Sequence, residues 1–187
     1  MKPAPPKRVG PEEIRQIFPN LPTPYQVKTF YAAVGQAIAA WQNVEAALYE
    51  VYRASTGARR PGAEAAAFFA VASARAKLTL TSAAVEFAAL GEPEALKGWS
   101  ALRNRVGKKT NRRNDIAHAA VWILFHEKRR ERKIYLGPNA MDTRGATRKG
   151  GSQDTEPLTL KRLQAYENDF RELAADLLNF ARNIPPP

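Results

Sequence analysis

Arg113 and His118 stand five positions apart, and Asn114 directly follows the arginine, in the run Arg113-Asn114-Asp115-Ile116-Ala117-His118. On a helix, residues four apart are neighbours, so Asn114 and His118 share a face while Arg113 lies on the flank nearer the core. A histidine near its unperturbed pKa of about 6.5 can give or take a proton at neutral pH. An arginine keeps its charge, and its planar fork matches two oxygens of a phosphate. The Asn114 amide can orient either the phosphate or the imidazole. These groups suit cleavage of RNA by its own 2′-hydroxyl, which needs a base, an acid and a cation for the charge that develops on phosphorus. One histidine cannot be base and acid in a single concerted step. Two copies of the motif can, which gives a mechanistic reason for a dimer that brings two motifs together. The other histidine, His126, has Val121 where the arginine would stand and fails the pattern. The plainer alternative is that Arg113 and His118 only satisfy polar partners between helices.

Two more charges fall on otherwise apolar stripes. Glu45 lies between Trp41 and Leu48, and Arg75 between Val71 and Leu78. An unpaired carboxylate in such a place is costly. A Glu45–Arg75 pair, or a contact from Glu45 to Arg113, would resolve it, either as a structural ion pair or as a support for the site arginine. Basic residues then crowd both sides of the motif. Arg103, Arg105, Lys108, Lys109, Arg112 and Arg113 precede it, and Lys128, Arg129, Arg130, Arg132 and Lys133 follow. Such runs serve as solvated faces or as an RNA-guiding surface.

The elements that would carry these residues are mainly helical. Seven prolines fall within residues 1–24, a Pro-rich N-terminal extension with room for one short helical piece over Glu12 to Phe18. Thr23-Pro24 reads as N-cap and first helical position. Val27, Tyr31, Val34, Ile38, Trp41, Glu45, Leu48 and Tyr52 then make one helical face, ended by Gly57 and Pro61-Gly62. A second helix is expected from about Ala63 to Leu90, with Phe68, Val71, Arg75, Leu78, Ser82, Val85 and Ala89 inward and Gly91 as its stop. A third starts near Glu92-Pro93-Glu94, turns Trp99, Leu102, Val106, Arg113 and Ala117 inward, and is weakened at Gly107. Val121 to Phe125 and Lys133 to Leu136 fit a small β-hairpin at about 120–137, or a helix continuing through Phe125. Residues 137–157 read as a mobile loop. A last helix spans Thr159 to about Asn183, with Leu160, Leu163, Tyr166, Phe170, Leu173, Leu177 and Phe180 at helical spacing. The result is an all-α fold: an antiparallel bundle of four to five helices over 25–183, carrying an inserted hairpin. Trp41, Trp99 and Trp122 all read as core.

Composition narrows the chemistry. With 29 Lys+Arg against 18 Asp+Glu the net charge is +11, which favours a polyanionic partner. The chain has no cysteine, which excludes disulfides, thiolate metal sites and a cysteine nucleophile. Two histidines leave little for a metal site, so neither metal nor cofactor is expected. The start, Met1-Lys2-Pro3-Ala4-Pro5-Pro6, lacks the apolar run of a signal peptide, and no stretch approaches a membrane span, so a cytoplasmic protein is expected.

The arginine, the polar residue after it and the histidine five positions on resemble the R-x4-H motif of the HEPN family. That resemblance covers residues 25–183 loosely and the six-residue motif specifically. It implies a helical-bundle homodimer acting as a metal-independent endoribonuclease, with Arg113, Asn114 and His118 as site residues. It also implies roles such as toxin or phage-defence effector, sometimes with a nucleotidyltransferase antitoxin as partner. Two other readings stay open: a non-catalytic RNA- or nucleotide-binding module, and a structural, partner-binding helical protein.

Overall fold

The computed structural model describes residues 22–58, 62–126, 131–138 and 157–184, with side chains at all of these except 124–126, 131, 132 and 138. Within them the chain forms five helices and one hairpin: α1 (Pro24–Ser55), α2 (Ala63–Ala70), α3 (Ala74–Ala88), α4 (Pro93–Ala117), β1 (Ala119–His126), β2 (Glu131–Pro138) and α5 (Leu160–Asn183). The expected all-α fold with a small hairpin is what the chain adopts. Most of the Pro-rich extension, including 12–18, and most of the expected loop lie outside the described residues.

Local chemistry sets the helix starts. Thr23 caps α1: its hydroxyl accepts from the Gln26 N–H at 3.2 Å, and the Gln26 side chain accepts from the Thr23 N–H at 2.8 Å. This reciprocal pair satisfies two amides that the first turn leaves open, and Pro24 follows where its missing N–H costs nothing. Thr159 caps α5 in the same way, accepting from Arg162.

The helix α1 is the hub, packing most extensively on α5 and also meeting α2, α3 and α4. Its buried positions are Phe30, Ala33, Ala37, Ala40, Val44, Ala47, Val51 and Ser55, joined by Trp41, Leu48 and Tyr49. Of the expected stripe from Val27 to Tyr52, Trp41 and Leu48 are buried and Val34, Ile38 and Tyr52 pack against the core, while the most deeply buried positions lie mainly one residue earlier. Tyr31, placed inward by that stripe, is 55% exposed. Size is the reason: alanines carry little weight in a hydrophobic pattern, yet small side chains let two helix backbones approach. Trp41 meets the Phe170 ring edge-on at 5.3 Å between centroids, which ties α1 to α5.

The expected helix over 63–90 is two helices. Val71 is extended, and Ser73 restarts the chain by accepting from the Ala76 N–H at 3.0 Å. Ala88 ends α3, and Gly91 follows at φ +88°, a conformation open to glycine at no steric cost. Arg75, expected inward, is exposed, and Lys77 is buried instead. In α4, Trp99, Leu102 and Val106 are buried as expected. Ala117 is exposed, and Ile116 takes the inward place. The helix continues through Gly107 without a break.

Three contacts fix the relative direction of α4 and α5. The Trp99 ring lies 5.7 Å from that of Phe180, Arg105 bonds Asp176, and Lys109 bonds Asp169. Rising numbers on one helix meet falling numbers on the other, so the pair is antiparallel.

Residues 119–126 are a strand, which settles the hairpin against a continuing helix. β1 and β2 pair antiparallel from Ala119↔Pro138 to His126↔Glu131. Gly137 and Pro138 therefore belong to β2, where a loop was expected, because Ala120 and Ala119 pair with them. A side chain at Gly137 would come within 3.2 Å of the Trp122 ring, so glycine makes room for the indole. Trp122 is 40% exposed, not core as expected, since it rides on a two-stranded ribbon. Buried Leu136 anchors that ribbon through paired backbone bonds with Leu158, at 2.9 and 3.0 Å, just before α5 begins. No helix among the described residues is long and apolar enough to cross a membrane.

Candidate functional site

Glu45 is where three helices meet. Its Oε1 accepts from the Trp41 Nε1–H at 2.8 Å and from Arg113 Nη2 at 3.2 Å. Its Oε2 accepts from Lys77 Nζ at 2.7 Å. Trp41 and Glu45 are one turn apart on α1, Lys77 comes from α3, and Arg113 from the last turns of α4. The side chains are 21% exposed for Glu45, 9% for Lys77 and 26% for Arg113, so the cluster sits at the rim of the core.

Aromatic faces line both cations. The Arg113 guanidinium carbon lies 5.7 Å from the Trp41 ring centroid. Lys77 Nζ stands 5.7 Å from the Phe68 ring and 5.6 Å from Phe69. Such rings attract a cation through their negative faces while keeping water away. Burial alone would push the Glu45 carboxyl up, but hydrogen bonds from Lys77 and Trp41 and the charges of Lys77 and Arg113 outweigh it. The net effect is a lowered pKa, and Glu45 is a carboxylate at neutral pH.

Of the two partners expected for Glu45, the structure brings Arg113 and not Arg75. The miss is local to the start of α3, since Ser82, Val85 and Ala89 farther along are buried as expected. Lys77, Thr81 and Val85 make the buried stripe, and Thr81 and Ser82 are accommodated because their hydroxyls bond back to Lys77 and Leu78 carbonyls at 2.9 and 2.8 Å. Trp41 was not expected as a partner, although its place one turn before Glu45 is the spacing that signals such a contact.

The motif itself straddles the end of α4. Arg113 points inward to Glu45, and its buried Nε has no hydrogen-bond partner among the described residues. Asn114 is half-buried on the same turn. His118 is the C-cap: its N–H bonds the Asn114 carbonyl at 3.0 Å, which keeps it one turn above Asn114, and its side chain is exposed. Geometry thus offers an anchored cation and a solvent-facing imidazole at one helix end.

The basic run before the motif divides. Arg105 and Lys109 are committed to Asp176 and Asp169 across the α4–α5 seam, and Arg112 lies 3.6 Å from Asp115. Lys108 is exposed. Lys128, Arg129 and Arg130 lie outside the described residues, and Arg132 is in β2 with only its backbone described. No family model, curated protein or solved structure matches this chain.

Proposed function

We propose that this chain is a metal-independent endoribonuclease of HEPN type, working as a homodimer with a site shared between subunits. The observation that carries the reading is the Arg113 anchorage. A guanidinium held by Glu45 and laid against Trp41 stands five residues before an exposed histidine at the end of the same helix. A packing role gives no reason for His118 to face solvent, whereas proton transfer requires it.

In this mechanism His118 takes the proton from the 2′-hydroxyl as that oxygen attacks phosphorus. Arg113 stabilises the charge on the non-bridging oxygens, and Asn114 orients the phosphate. The bond from phosphorus to the 5′-oxygen then breaks, and His118 of the partner subunit protonates the leaving oxygen. The products are a 2′,3′-cyclic phosphate and a 5′-hydroxyl end. Trp122 and Ile123, exposed four and five residues beyond His118, supply apolar surface that such an assembly would cover. A role as toxin or phage-defence effector fits this chemistry, with an antitoxin as its control.

The test is incubation of labelled RNA with the protein in EDTA. Cleavage with cyclic-phosphate ends is expected, while DNA of the same sequence, lacking the attacking hydroxyl, stays intact. His118→Ala should abolish cleavage and leave binding nearly unchanged, because the imidazole supplies proton transfer more than charge. Wild-type cleavage by that variant would refute the mechanism. Binding without cleavage by the wild type would favour an RNA-binding module instead.

A further inference from the structure

The hydrogen bonds of Glu45 leave one asymmetry. Nε and Nη2 lie on the same edge of the Arg113 guanidinium, the edge that normally takes both oxygens of a carboxylate. Here Glu45 engages that edge through Oε1 alone, and the buried Nε is without a hydrogen-bond partner among the described residues. The second oxygen, which would complete the fork, is taken by Lys77 Nζ at 2.7 Å.

Formal charge follows the same lines. Lys77 and Arg113 contribute two positive charges and Glu45 one negative, so the triad is net +1. Without Lys77, the carboxylate and guanidinium would close into a neutral pair with two parallel bonds. An arginine bound in that way is a weaker ligand for phosphate, since its charge is cancelled and its donors are occupied.

We propose that Lys77 is a positioning residue: by holding Glu45 Oε2, it keeps Arg113 singly tied and its charge only partly offset, ready to receive a phosphate oxygen. Lys77 sits on α3, 36 positions before Arg113 in sequence, and acts only through the shared carboxylate. Its burial and the aromatic rings beside it serve this role, because they keep water from competing for the carboxylate. The phosphate role of Arg113 is taken from the ribonuclease reading, whereas the tie among the three side chains is independent of it.

The experiment measures guanidinium availability directly. The protein is labelled with phenylglyoxal, an arginine-specific dicarbonyl, and the rate at Arg113 is followed by peptide mass spectrometry. Lys77→Met keeps the apolar contact with Phe68 and Phe69 and removes the charge. It should slow labelling of Arg113 by about tenfold or more, the effect of one added charge-assisted hydrogen bond. Exposed Arg103 and Arg171 should react at unchanged rates. The double variant Glu45→Gln with Lys77→Met should restore the Arg113 rate, because an amide cannot neutralise the guanidinium.

An unchanged or faster Arg113 rate in the folded Lys77→Met protein overturns the proposal, as does failure of the double variant to recover. If Lys77→Met opens the fold, Arg103 and Arg171 will both react faster. Lys77→Gln then replaces it, with the same expected direction and the same refuting result. A separate arm measures binding of a 2′-O-methyl RNA oligonucleotide to Arg113→Ala. Wild-type affinity there refutes the phosphate role of Arg113 and leaves the labelling result to decide on Lys77.

Discussion

Removing the Glu45 carboxylate is the sharpest test of how the site is held together. Glu45→Ala deletes three hydrogen bonds, two of them from cations, and leaves Lys77 and Arg113 facing each other without an anion. Breaking a buried pair in this way costs about 3–5 kcal/mol, and the lower end applies here because water reaches part of Glu45 and Arg113. For a chain of this size each kcal/mol lowers the melting temperature by about 2–4 °C, so a loss of roughly 6–12 °C is expected. Glu45→Gln keeps an acceptor for one donor and should cost about half as much.

The pH dependence has a definite sign. The folded pKa of Glu45 lies below the ordinary value of 4.5, so the unfolded chain binds the proton more readily. The stability supplied by the carboxylate is therefore complete above about pH 4.5 and lost as pH falls through the folded value. Urea unfolding of wild type and Glu45→Gln from pH 7 to pH 3 should show the gap narrowing only in that acid range. An unchanged melting temperature in Glu45→Ala, or a gap that does not narrow at all below pH 4.5, would refute the energetic account of the cluster.

Two other outcomes follow from the placement of charges and apolar surface. Lys108→Ala should weaken RNA binding and lower the salt slope by about one, because Lys108 is exposed with its charge available to a phosphate. Arg105→Ala should change stability by less than about 1 kcal/mol, since its pair with Asp176 is nearly half exposed, and should affect binding less than Lys108→Ala does. Light scattering at micromolar concentration should give the mass of a homodimer, and a strict monomer would count against the shared site.

Much of this was readable in the sequence where the cause is local. The Thr23 cap, the Gly91 stop and the α5 stripe follow from turn chemistry and period, and the β-branched and aromatic run of β1 fits its strand. Glu45 was legible as a buried charge needing a partner, and Arg113 was one of two candidates. The identity of Lys77 was not legible, because continuous helical phase from Phe68 selects Arg75. The break at Val71–Ser73 turns the first part of α3 so that Lys77 and Thr81 face inward, while Ser82, Val85 and Ala89 are buried as expected. Thr81 did not read as core, since only the folded helix shows its hydroxyl satisfied on the helix's own carbonyl. Trp122 failed for the opposite reason: an apolar identity says nothing of whether a layer exists to cover it, and a two-stranded ribbon leaves one face bare.

The end of a helix is a poor place for a phosphate, and this shapes what the site must supply. The last carbonyls of α4 carry roughly half a negative charge, and Asp115 and Glu45 add to it. An anion approaching His118 meets that field first. Arg112 lies beside Asp115, and Arg113 is partly cancelled by Glu45. Of the charges within the last turns and the triad, Arg112, Arg113 and Lys77 against Asp115 and Glu45 leave a single net positive charge. Remove Lys77 and the formal sum is zero, with the helix dipole still opposed. The overall charge of +11 therefore does not by itself make this surface attractive to RNA. On the proposed ribonuclease reading, a buried lysine that touches no RNA decides this local sum, which is why its substitution is expected to matter as much as that of a residue in contact.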